Sequence, residues 1–262
     1  MSDHPVLVPT RDGTVGAIVT EPEAHRRAAA IILEGIGGRR YGVNGLWSRA
    51  AWALSDLGLV VLRMDYPGSG DSAGVRRGRR TEEVVLEAVR WFRDRTRELD
   101  LQLVGACYGA NLAARVAREE PRLSRLILVT PHVRKIPSRT VGVRVRRLMG
   151  GALPRTPRPA LDRRVCGAIA AAARKAGTVA IAGELDGSLG DMIRLRAMVH
   201  RSGGELSIDL VPKTDLHGHR TLHAQRETVT RIVAEAGRGL EEAGGGQGEQ
   251  RDPPVHRTGT PG

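Results

Sequence analysis

The sequence is poor in aromatic residues: one Phe, three Trp and three Tyr make up 3% of its 262 residues. That shortage argues against a single-stranded nucleic-acid binder, which stacks bases on aromatic side chains. Cysteine is scarcer still. Cys107 and Cys166 give no disulfide framework and fit a reducing compartment. No apolar run approaches the roughly 20 residues that cross a bilayer, and the opening MSDHPVLVPTRDG lacks a charged-then-apolar leader. A cytoplasmic protein without membrane association is therefore expected. Acid is short as well, with 29 Asp+Glu against 41 Lys+Arg and a net charge of +12. The arginines are scattered and form no basic stripe, so a nucleic-acid partner is not expected. An acidic ligand or carrier remains compatible with this charge. No repeat of solenoid period is present.

What is present alternates. Two alternating stretches, His4–Thr10 and Thr14–Glu21, flank Arg11-Asp12-Gly13 and predict a hairpin. Ala28–Leu33, Gly58–Asp65, Leu101–Val104, Leu123–Thr130, Thr178–Ala182 and Glu205–Val211 read as further strands, several of them continuously apolar. Such runs belong to strands covered on both faces. Helical periodicity falls between them, over Asn44–Leu57 (capped by Asn44 or Gly45), Thr81–Arg95, Leu112–Glu120, Leu161–Lys175, Ile193–Arg201 and Thr221–Ala236. The alternation predicts an α/β fold with a mostly parallel sheet of eight strands flanked by helices. One domain over residues 1–239 is expected, with an insertion at 133–176 and a disordered Gly/Pro-rich tail at 240–262.

The richest stretch is Gly105-Ala106-Cys107-Tyr108-Gly109-Ala110, between an apolar strand and a helix. A strand that turns at once into a helix crowds its own backbone, so near neighbours of the apex must be nearly free of side chain. Gly105 and Gly109 meet that demand, and Cys107 stands at the apex as a candidate nucleophile. A second Gly-x-Ser-x-Gly match, Gly70–Gly74, places Ser72 after Pro67 and two glycines, with no strand leading into it. A loop-stabilising hydrogen bond is the role expected of Ser72.

The Gly-x-Cys-x-Gly turn on the fifth strand, the opening hairpin and the alternation resemble the α/β-hydrolase fold over about residues 5–237. The run Leu62–Ser72 and the ending Thr130-Pro131-His132 look like serine-aminopeptidase-like and exosortase-associated hydrolases. Cys107 together with Glu34 is similar to dienelactone hydrolase, where a glutamate at this place engages the resting thiol. Glu34 is accordingly a candidate thiol-modulating residue. It either points away, pairs with Arg39 or Arg40, or is protonated by the thiol.

The resemblance implies a nucleophile, an acid and a histidine in that chain order. Asp186, in Gly183-Glu184-Leu185-Asp186, is the expected acid, with Glu184 the weaker candidate. His217 in the loop after the eighth strand is the expected base, ahead of His219. The oxyanion hole is expected from the backbone N–H groups of Tyr108 and Ile36. The insertion between the sixth and seventh strands is where such enzymes carry a lid. His219 and His223 are spaced i, i+4 with His217 nearby, yet no Glu follows His219 in the His-Glu-x-x-His manner, so neither metal nor cofactor is expected. The implied reaction is cleavage of an ester, lactone or thioester through an acyl-cysteine. Its substrate would be a small acyl compound, including one borne on coenzyme A or a carrier. Acyl transfer, elimination or isomerisation, and ligand binding without catalysis are the competing classes.

Overall fold

The computed structural model describes residues 1–35, 39–75, 78–134 and 160–245. Its strands are β1 (Ser2–Thr10), β2 (Gly13–Glu21), β3 (Ala28–Leu33), β4 (Leu59–Met64), β5 (Leu101–Ala106), β6 (Leu123–Val129), β7 (Gly177–Gly183) and β8 (Leu206–Val211). They form a single sheet in the order β1-β2-β4-β3-β5-β6-β7-β8. The pairings β1–β2 and β2–β4 are antiparallel, and every other pairing is parallel.

Alternate residues of the inner strands feed two separate cores. Ala29, Ile31 and Leu33 of β3 face one, and Ala28, Ala30 and Ile32 face the other. This explains their unbroken apolar sequence: each side of the sheet is roofed by helices. The first roof holds α2 (Gly78–Thr96), α3 (Tyr108–Glu119), α4 (Arg163–Ala173) and α5 (Leu189–Arg201). The second holds α1 (Leu46–Asp56) and α6 (Leu222–Gly245). No helix among the described residues is long and apolar enough to cross a membrane.

Two expectations need adjustment. The helix α4, read as part of the 133–176 insertion, is a crossover helix whose Val165, Cys166 and Ile169 lie in the first core. Asp162 caps it, accepting from the N–H groups of Arg164 and Val165. The remainder of that expected insertion, 135–159, lies outside the described residues. The C-terminal helix also outruns the expected boundary at 239. Leu240 is buried, and Glu242 accepts from Arg125 at 2.8 and 3.0 Å. Residues 246–262 of the expected tail lie outside the described residues. At the other end of the chain, Gly45, one of the two expected caps, is the N-cap of α1 at φ 71°, after a 3-10 turn at Val43–Gly45.

Candidate active site

The parallel strands end together, and β5 turns there directly into α3. Cys107 is the joint, at φ 51° and ψ −112°, a left-sided conformation that L-residues avoid. The neighbouring glycines make the turn sterically feasible. A Cβ on Gly109 would stand 2.0 Å from the Leu33 carbonyl oxygen and 2.5 Å from that of Glu34. One on Gly105 would stand 2.6 Å from Ala110 Cα. The apex is pinned on its far side too, since Cys107 N–H donates to Val129 O at 3.0 Å. His132 N–H donates in turn to Cys107 O at 3.2 Å. The thiol is half-buried. Burial pushes it above the usual cysteine range, the Tyr108 N–H draws it down, and Glu34 pushes it up again.

Glu34 and Gly35 follow β3 and lie against the elbow; a Cβ on Gly35 would be 3.9 Å from Cys107 Sγ. One Glu34 oxygen, Oε2, is buried without a hydrogen-bond partner. Burial raises this carboxyl to about 8, against an opposing pull from Trp47. Neither Arg39 nor Arg40 bonds it, contrary to one expected arrangement. Arg40 instead bridges Asp65 and Asp71, while its N–H donates to Asp65 at 2.8 Å. Through Arg40 the loop after β3 is tied to the loop after β4, which is itself cross-braced by Asp71 N–H donating to Asp65 at 3.1 Å. Tyr66, fully buried in the same loop, donates its hydroxyl to the Glu34 carbonyl. Ser72 has the structural role expected of it. Its Oγ donates to Asp65 O at 2.8 Å and accepts from Gly16 N–H at 2.9 Å.

Asp186 follows β7 and is buried, with both oxygens held by backbone. Oδ2 accepts from Gly183 N–H and Oδ1 from Leu216 N–H, each at 2.7 Å. Burial and a hydrogen bond shared with Asp215 raise Asp186, and that same bond lowers Asp215. Asp215 Oδ1 accepts from His217 N–H at 2.8 Å, an Asx turn that sets the start of the histidine loop. His217 itself is exposed on a cavity of about 410 Å3 shared with Pro131, His132, Arg134, Ser188 and Asp215. His219 is buried and stands edge-on to Trp47, ring centroids 5.6 Å apart, with Nε2 unpartnered. Burial lowers it to about 4.

The structure thus gathers Cys107, Tyr108, Glu34 and Gly35 at one point and sets Asp186 beside the His217 loop. No hydrogen bond joins His217 to Cys107 or to Asp186 among the described residues, and Ile36 lies outside them. Sequence reasoning missed Asp215, Trp47 and Tyr66. Asp215 alone left a signal, an Asx residue two positions before the histidine; nothing in the pattern around Trp47 or Tyr66 singled them out. His219 sits in a 3-10 turn and His223 in α6, so the i, i+4 pair shares no helix. Among the described residues no group of three or more His, Cys, Asp or Glu side chains is placed to hold a metal ion.

A strand-to-helix elbow on the fifth strand of a mostly parallel sheet flanked by helices, with an aspartate after β7 and a histidine after β8, is the α/β-hydrolase fold. Residues 25–173 match the serine aminopeptidase, S33 family of hydrolases, and the chain belongs to that family. No curated protein matches it in sequence. Among solved structures it is similar to the alpha/beta hydrolase GrgF from Penicillium sp. sh18, at 17% identity and TM-score 0.68, over 92% of this chain and 100% of that one. An alpha-beta serine hydrolase homologue from Coxiella burnetii matches at 18% identity and TM-score 0.61, over 89% and 97%. A dienelactone hydrolase from Anabaena variabilis matches at 15% identity and TM-score 0.62, over 89% and 96%.

Proposed function

We propose that this hydrolase cleaves an ester or thioester through an acyl-Cys107 intermediate. The observation that carries the reading is the strained elbow: Cys107 is held at positive φ at the head of α3. A thiol so placed stands clear of the sheet and near the positive end of a helix. His217 is the base, brought from its exposed position by rotation of its side chain. Apo sites of this kind often tighten only around substrate. Asp186 and Asp215 together hold the loop that carries it. His217 takes the Cys107 proton as sulfur attacks the acyl carbon. The oxyanion is met by the N–H groups of Tyr108 and Ile36. Collapse breaks the bond to the leaving alcohol or thiol, which takes the proton back from His217. Water, deprotonated by His217, then attacks the acyl carbon; the bond to Cys107 Sγ breaks, the acid leaves, and His217 returns its proton to the sulfur.

His217 is preferred to His219 because the latter is buried with its ring against Trp47. Glu34 acts on the resting thiol: while its carboxyl is protonated it adds no negative charge beside the sulfur. The test is turnover of short-chain p-nitrophenyl esters and acyl-N-acetylcysteamine thioesters. Wild type is expected to cleave at least one class and Cys107→Ala neither. Undiminished turnover by Cys107→Ala rules the reading out.

A further inference from the structure

From the elbow, one face of α3 runs away as Tyr108, Asn111, Arg115 and Arg118, the floor of a groove of about 820 Å3 between α2 and α4. At 1.5 Å per residue the stripe from Tyr108 to Arg118 is about 15 Å long. It begins beside the nucleophile and ends in charge. Arg115 is engaged by Glu82, whereas Arg118 on α3 and Arg164 on α4 have no carboxylate partner among the described residues. Of the acids on the walls, Glu82 is taken by Arg115 and Asp162 caps α4. Arg134, also on the wall, is held by Asp191, so among the described residues Glu119 stands against the two unpaired guanidiniums of Arg118 and Arg164.

Midway, Asn111 is more than nine-tenths buried, lines the groove and has an amide oxygen without a partner. A buried amide left unpaired costs stability unless a ligand completes it. Val165 and Ala168 supply an apolar side. The groove therefore asks for a long thin chain with an amide partway along and an anion at its far end.

Building on the acyl-Cys107 reading, we propose that this groove holds the leaving-group arm of a thioester substrate, an amide-bearing chain ended by phosphate, of the phosphopantetheine kind. The acyl carbon sits at Cys107, an arm amide donates to Asn111 Oδ1 once that side chain turns its buried oxygen toward the groove, and the phosphate meets Arg118 and Arg164 in charge-assisted bonds. When the C–S bond breaks, the arm departs as its thiol, protonated by His217.

The test compares kcat/KM for one acyl group on 4′-phosphopantetheine and on N-acetylcysteamine, which lacks the phosphate. Wild type is expected to favour the phosphorylated arm by at least about tenfold, chiefly through KM. That ratio should fall toward one in Arg118→Gln/Arg164→Gln, and part-way in each single variant. Equal kcat/KM for the two thioesters in wild type overturns the proposal, as does a ratio that survives the double variant. Wild-type comparison alone decides if the variants do not fold. Cleavage of neither thioester with cleavage of p-nitrophenyl esters also overturns it while leaving the hydrolase reading intact; no cleavage of any of them removes both. Assaying the same acyl group on free coenzyme A and on a carrier protein then distinguishes the two sources of the arm, and preference for either supports it.

Discussion

A buried carboxyl beside a thiol ties two titrations together. Glu34 has an ordinary value of 4.5 and is raised by burial to about 8, so the folded protein holds a proton that the unfolded chain has lost between those values. Stability should therefore fall as pH rises from 4.5 to about 8 and stop falling above, with a slope of at most about 1.4 kcal/mol per pH unit from this group. Glu34→Gln should remove that slope in denaturant titrations. Above about pH 8 the ionised Glu34 also opposes the Cys107 thiolate, so the same variant should shift iodoacetamide alkylation of Cys107 to lower pH. An unmoved alkylation profile would show that Glu34 does not act on the thiol. Ser72 and Cys107 contrast at the same scale. Ser72→Ala loses two buried hydrogen bonds and is expected to cost about 1–3 kcal/mol of stability while keeping turnover within a few fold. Cys107→Ala should keep the fold and lose turnover. The reverse pattern in the two variants would assign the chemistry to the serine.

The elbow works as an element because β3 and α3 touch backbone to backbone. Gly109→Ala puts a methyl 2.0 Å from the Leu33 carbonyl, which neither element can yield cheaply. A loss of about 1–3 kcal/mol or more is expected, read as a lower denaturant midpoint; an unchanged midpoint would mean that the close approach does not exist. This contact was legible in advance, because spacing around Cys107 reports local crowding. The inner strands were legible for a similar reason, their unbroken apolar runs requiring helices on both faces. Helix ends were not. The Thr221–Ala236 reading stopped where apolar periodicity thinned, yet Leu240 and Glu242 continue α6 through contacts with distant β6. The ion network of Arg40, Asp65 and Asp71 escaped for the same reason: it joins two loops that only the β3–β4 pairing brings together.

At the scale of the whole molecule, the end of α6 closes the second core. Arg125 is buried on β6 and is met by Glu235 and Glu242, both from that helix. A chain ending at residue 239 loses Glu242 and the buried Leu240, whose side chain alone is worth about 1.5–3 kcal/mol. It should melt several degrees below a chain ending at 245, which keeps both contacts. Equal melting temperatures would show that the last turns of α6 add nothing. The sheet, its two helical roofs and the clamped loops serve one arrangement, a thiol held at positive φ where the strands end. The most direct measurement of that claim is the intact mass of the protein quenched during turnover of an activated thioester, followed by peptide mapping. The account predicts one added acyl group on the peptide containing Cys107, absent in Cys107→Ala; an acyl group on any other residue, or one that persists in Cys107→Ala, would contradict it.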